Sequence, residues 1–207
     1  MLQSDLVTRL NNYFNNSTYY QGIDLDASIQ DGYDEAAAFS GCILKAVSIP
    51  FVNGLTYYDM YAQGIPDYIG VVAIFNTVTD RWMWPISTRK LSDVRIDWET
   101  AAGTPWYFVP INHRFIAIYK KPITDDYGSM YVYYRAAAPI LGSGDTIAIP
   151  DDYALVLQDY SITDLWEQNQ EWTKADRHFE AYAKTLDELR VWAMNKKMPD
   201  RLPSLKG

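Results

Sequence analysis

The segment Trp106-Tyr107-Phe108-Val109-Pro110-Ile111 is apolar at every position. Read as a strand, it sends Trp106 and Phe108 to one side and Tyr107, Val109 and Ile111 to the other. A sheet with one wet face alternates apolar and polar residues. Strands of this kind must be covered on both sides, by a second sheet or by a second subunit. The run from Tyr68 to Phe75 carries the same message, being rich in β-branched and aromatic residues. The chain holds 17 Tyr and 7 Trp in 207 residues. Aromatics suit pleated surfaces and are enriched where subunits meet, and the two explanations are compatible.

Helical periodicity flanks this central region. Ser4 is placed to cap a first helix over residues 5–14, which Asn15-Asn16-Ser17 would end by competing for backbone partners. Leu25, Ile29, Tyr33, Ala36, Ser40 and Ile43 fall three or four apart and predict a second helix from Leu25 to Lys45. From Ala46 to Ile149 the pattern is that of strands and turns. Pro50, Gly54, Gly64 and Pro66 punctuate it, Asn76 to Arg81 reads as a turn, and Trp82 to Ile86 reads as a returning strand. Thr88 to Arg95 suggests a short helical turn. Asn112-His113 gives a two-residue hairpin signal between Trp106 to Ile111 and Arg114 to Tyr119. Thr124 to Ser129 reads as a turn before a strand over Met130 to Ala136.

After Pro150 the helical period returns and predicts one helix to about Asn195. Asp151 and Asp152 suit its N-terminus, and Trp172, Ala175, Phe179, Tyr182, Leu186, Leu189 and Ala193 form its seam. Pro199 and Pro203 stop it. The expected architecture is α+β: a small helical bundle (1–46 and 150–195), an inserted antiparallel β domain (47–149), and an extended C-terminal tail (196–207).

The formal net charge is −8. Tight binding to nucleic acid needs clustered Lys and Arg, and Lys196-Lys197 with Arg201 and Lys206 is too thin for that. An acidic protein can still surround DNA without holding it. The single cysteine, Cys42, excludes an internal disulfide and fits a reducing compartment. The N-terminus lacks the basic and apolar regions of a signal peptide. The longest apolar run is far short of the roughly 20 residues that span a bilayer, so no membrane association is expected.

Catalytic signatures are scarce. His113 and His178 lack metal-type spacing, with His178 read as a helix-surface residue. Cys42 lies in an apolar context that favours an inert core thiol. Asp24, Asp26, Ser28 and Glu35 match some positions of a calcium-binding loop, but Ile29 stands where Gly is needed and the segment reads as helix. Asp125-Asp126 and Asp151-Asp152 adjoin turn and cap signals. No phosphate loop, nucleophile elbow or dinucleotide fingerprint occurs. No enzyme, no cofactor and no metal site are expected.

Several segments, in order, resemble the head-to-tail adaptor (connector) proteins of tailed bacteriophages. They are the N-terminal helical part ending near Gly41-Cys42-Ile43-Leu44, the Gly103-Thr104-Pro105-Trp106-Tyr107 element, and Arg114 to Pro122. The Tyr-rich strand Met130 to Arg135 and the approach to the last helix, Thr146 to Tyr153, follow. Tyr57 to Gly64 departs from that family's pattern. The resemblance implies a structural subunit of a homo-oligomeric ring, commonly of twelve copies, in the virion neck. Such a ring assembles in the host cytoplasm beneath the portal protein, meets tail or nozzle proteins, and lets genomic DNA pass without specific binding. It also implies that the C-terminal segment reaches the portal. Lys196, Lys197, Met198, Arg201, Leu202 and Leu205 are the candidates for that contact, and Trp106, Tyr107, Tyr131 and Tyr133 are candidates for the subunit interface. One alternative is another tail-completion protein of the virion. The other is a carbohydrate- or peptide-binding module using Trp82, Trp84, Trp98 and Trp106 as a stacking platform.

Overall fold

A computed structural model of the chain describes residues 1–15, 22–124 and 128–195. In chain order the elements are α1 (Gln3–Tyr13), α2 (Gly22–Ser40), β1 (Leu44–Pro50), β2 (Tyr57–Asp59), β3 (Tyr68–Asn76), β4 (Arg81–Trp82), β5 (Trp84–Pro85) and α3 (Thr88–Val94). A 3-10 turn (Trp98–Thr100), β6 (Tyr107–Pro110), β7 (Phe115–Tyr119), β8 (Ser129–Ala136), a second 3-10 turn (Asp151–Tyr153), α4 (Leu155–Gln168) and α5 (Trp172–Asn195) follow. The fold class is α+β. The chain divides into two compact units, one of Met1–Cys42 with Ala138–Gly207 and one of Ile43–Ala137.

The first unit is helical. Leu25, Ile29, Tyr33 and Ala36 on α2 are fully buried, as their spacing predicts. Ser40 is buried beside them, its hydroxyl donating to Ala36 O at 2.6 Å. Helix α2 ends at Ser40 and does not run to Lys45. Gly41 adopts φ 63 and donates its N–H to Ala37 O at 2.9 Å, the left-handed turn that closes a helix. Residues 44–50 then pair as a strand, so the helical reading of Leu44 and Lys45 is corrected. At the N-terminus, helix α1 starts two residues earlier than Ser4 suggested. Asp5 accepts from Leu2 N–H at 3.2 Å, and Leu2 holds the cap position.

The single C-terminal helix of the sequence reading is two helices. Gln170 sits at φ 61, and Glu171 N–H turns back to Trp166 O at 2.9 Å. Neither Gly nor Pro marks this break. On α5, Ala175, Tyr182, Leu186 and Leu189 are buried, while Trp172 and Phe179 are exposed and leave the seam. Gly32 lets α4 approach α2 closely, because a Cβ there would lie 2.6 Å from Tyr160 Cδ1.

The second unit stacks its strands in two four-stranded sheets, ordered β1-β8-β3-β4 and β2-β7-β6-β5. All pairs are antiparallel except β5 with β6. Between Trp82 and Trp84 the chain leaves one sheet for the other. The buried Met83 is the pivot, its N–H donating to Ile74 O at 2.8 Å. The β6–β7 hairpin is wider than a two-residue loop. Ile111 N–H reaches Phe115 O, and Asn112 Oδ1 accepts from the amides of Arg114 and Phe115. This is a side-chain mimic of a turn.

At their centres both faces of β6 and β7 are covered from within the chain. Phe108 and Ile118 are buried on one side, and on the other Val109 and Ala117 pack against Leu91 of α3 and Trp98. Of the two kinds of cover expected, a second sheet or a second subunit, neither serves the Val109–Ala117 side at its centre, where α3 and the 3-10 turn of the same chain do. Tyr57 to Gly64, the segment that departs from the adaptor pattern, forms β2 and the turn after it. Tyr57 donates its hydroxyl to the Glu99 carboxylate, and burial first, then this hydrogen bond, raises its pKa to about 12. Arg114 clasps Asp59 through Nε and Nη2 and holds its carboxyl below the usual range.

Replacing Gly32 by Ala inserts a methyl against the Tyr160 ring, a strain of about 1–3 kcal/mol. Thermal unfolding of that variant is expected several degrees below the parent, and an unchanged Tm would contradict the α2–α4 packing.

Candidate interaction surfaces

The alternation along β8 builds the first surface. Met130, Val132, Tyr134 and Ala136 are buried, whereas Tyr131 and Tyr133 are half-buried and Arg135 is exposed. Register sets their neighbours. Ser48 and Ala46 of β1 lie opposite Tyr131 and Tyr133, and Phe75 and Ala73 of β3 lie opposite the same two on the other side. Trp82 of β4 pairs with Phe75, their ring centroids 5.3 Å apart, and stands 5.5 Å from the Tyr133 ring. The result is an aromatic strip across β8, β3 and β4. Burial, and then the nearby Tyr131, pushes the Tyr133 phenol above its ordinary pKa.

A second surface lies where the cover over β6 and β7 stops. Leu91 and Trp98 reach Val109 and Ala117, and Tyr119 packs half-buried against that cluster, while Tyr107, its ring centroid 6.1 Å from that of Tyr119, is exposed on the same face. Trp84, Ile86 and Lys90 complete a cleft of about 510 Å³ there. Trp84 is 68% exposed, an unusual state for the largest apolar side chain.

Of the four residues expected at a subunit interface, Tyr131 and Tyr133 share the first surface and Tyr107 belongs to the second. Trp106 is half-buried, with the Arg81 guanidinium 5.8 Å from its ring. The four are thus divided between two sites. Trp98 is a core residue, 3% exposed, so Trp82, Trp84, Trp98 and Trp106 do not form one stacking platform. Lys196, Lys197, Met198, Arg201, Leu202 and Leu205 lie outside the described residues. So do Asp125 and Asp126.

The helical unit corrects one further reading. His178 is not a plain surface residue: its Nε2 lies 2.9 Å from Tyr13 Oη and its Nδ1 lies 3.2 Å from Asp159 Oδ1. It ties α1, α4 and α5 together. His113 approaches Ile69 O through Nδ1 at 2.9 Å and fixes a loop. Asp26 accepts from Gln3 Nε2, Ser28 is buried, and Glu35 accepts from the Tyr182 hydroxyl at 2.7 Å. These residues are spread around a helix and cannot converge on calcium. Among the described residues no cluster of His, Cys, Asp or Glu could hold a metal ion, and no helix is long and apolar enough to cross a membrane.

Charge is divided unevenly. By sequence the helical unit has 18 acidic and 9 basic residues, against 8 and 9 in the β unit. The net negative charge therefore belongs to the helices. The signals that sequence reading missed are Trp84, Tyr119 and Lys90 together. Their cleft exists only because β5 joins β6 in parallel, which no local pattern announces.

Exposure separates the surface residues from the core in a way that denaturation can read. Truncating Trp84 to Ala is expected to change stability by no more than about 0.5 kcal/mol. Truncating Trp98 to Ala is expected to cost about 3–5 kcal/mol. Equal losses in urea unfolding would contradict the placement of Trp84 at a surface.

A comparison with protein families finds that the model of the SU10 adaptor protein family matches residues 1–202. No curated protein matches the chain.

Proposed function

The chain belongs to the SU10 adaptor protein family, a family of bacteriophage head-tail adaptors, and on that premise we propose that it is one subunit of a ring docked beneath the portal. The ring extends the DNA channel and joins capsid to tail at the virion neck. The observation that carries this reading is the aromatic strip in which Tyr131, Tyr133 and Trp82 stand half-buried around the buried Phe75. A closed head-to-tail ring requires two different patches on every copy. The strip and the Trp84–Tyr107–Tyr119 cleft are two such patches, and both are aromatic, as interface cores tend to be.

The two units divide the work as separate domains. The β unit supplies the contacts between copies. The acidic helical unit faces the DNA, where repulsion between like charges keeps a polyanion moving. The tail from Met198 to Gly207 docks on the portal, with Leu202 and Leu205 as apolar anchors and Lys196, Lys197 and Arg201 as ion-pair partners. No chemical step is assigned to the protein, and its role is mechanical. Another tail-completion role would use the same surfaces but would not saturate a portal ring directly.

Purified portal mixed with the chain tests the reading by native mass spectrometry. Full decoration of the portal ring is expected. Removing residues 198–207 should abolish portal binding, and unchanged binding would refute the tail assignment. Replacing Tyr131 and Tyr133 together by Ser should leave the chain folded but weaken ring closure by about 2 kcal/mol or more, as for buried anchors. Full decoration by that variant would refute the strip as the contact between copies.

A further inference from the structure

Strand β1 is an outer strand, and its own hydrogen bonds define which half of its backbone is spare. Ala136 donates its N–H to Ile43 O at 3.0 Å, and Phe51 donates to Gly128 O at 2.9 Å. With the register from Leu44 opposite Arg135 to Pro50 opposite Ser129, residues 45, 47 and 49 turn amide and carbonyl toward β8. Leu44, Ala46 and Ser48 therefore turn theirs outward, where no described residue receives them. All three are exposed. Pro50 has no amide and ends the row. Alternating donors and acceptors along an open edge fit another extended backbone.

The chain's other sheet edges narrow the identity of that backbone. β2 has three residues and β4 and β5 have two each, so among the outer strands only β1, with seven, matches β1 in length. Two copies of β1 aligned antiparallel, with Ala46 facing its own equivalent, satisfy all three outward residues at once. Leu44 then faces Ser48 of the partner subunit, and the reverse pairing closes the ladder. On the core-facing side Lys45 faces Val47 of the partner subunit, so no like charges stand directly opposite each other. Lys45 is bonded to Asp67 at 2.6 Å and brings a compensated charge. On the outer side Leu44, Ala46 and Ser48 lie beside Tyr131 and Tyr133, so the aromatic strip of each copy continues across the seam.

We propose that, outside the assembled particle, two copies of this chain pair through β1 across a two-fold axis at Ala46. The contact uses one patch on both copies and closes at two, which separates it from the head-to-tail contacts of a ring. It rests on the edge geometry and not on the ring reading.

Sedimentation of the full chain at micromolar concentration is expected to give a dimer. Ala46→Pro removes the outward amide on the axis and leaves the bonds to β8 in place, a substitution edge strands accept. That variant should sediment as a monomer with unchanged circular dichroism. Cross-linking decides independently of how the proline variant folds. Facing residues of a hydrogen-bonded antiparallel pair have Cα atoms about 5.5 Å apart, inside the roughly 4.4–6.8 Å range of disulfides. Oxidised Ala46→Cys should therefore form a covalent dimer, whereas Ser48→Cys, which faces Leu44 of the partner subunit, should not. Three results would overturn the proposal: a monomeric parent with no Ala46→Cys cross-link, a dimer that persists in a folded Ala46→Pro chain, or equal cross-linking at both positions.

Discussion

The alternation of side chains along β8 is the constraint on which the β unit depends. A strand has two faces, and this one is apolar on the inner face and aromatic at the centre of the outer one. Met130, Val132, Tyr134 and Ala136 are spent on the core, and they fix the register of β1 and β3 on either side. A slip of one residue would exchange the two faces and place Arg135 in the interior. Tyr131 and Tyr133 are consequently committed to the outer face whatever the surroundings provide. The aromatic strip follows from how the core is built.

The second sheet solves the same problem differently. Val109 and Ala117 find their cover in Leu91 and Trp98, contributed by the segment between β5 and β6. That cover is short: Tyr119 packs against it, and Tyr107 and Trp84 remain exposed beside it. Both open surfaces belong to one unit, whereas the net negative charge belongs to the other. Apolar contact and electrostatic repulsion are thus assigned to different parts of the chain.

Much of the fold was legible in the residues, for local reasons. The α2 period, the strand at Tyr68 to Phe75 and the strand at Met130 to Ala136 are strong repeats that tertiary packing reinforces. Errors arose where a non-local effect won. Leu44 and Lys45 continued a helical pattern, but Gly41 stopped the helix and pairing to β8 claimed the residues beyond it. Gln170 broke the last helix without a Gly or Pro to announce it. Among the site residues, Tyr131 and Tyr133 could be read from alternation alone. The cleft could not, because Trp84 and Tyr107 are brought together by a parallel pairing between distant segments. Trp98, named only in the alternative reading of a stacking platform, packs in the core, and composition cannot distinguish a tryptophan that packs from one that binds.

The central claim is that the aromatic face over β8, β3 and β4 is covered only when copies assemble. Hydroxyl-radical footprinting of the chain alone and on the portal reads it most directly, residue by residue. The account predicts that Tyr131, Tyr133 and Trp82 react readily in the unassembled chain and become protected on assembly, while the buried Trp98 is slow in both. Equal reactivity of the three in both states, with the ring formed, would contradict it.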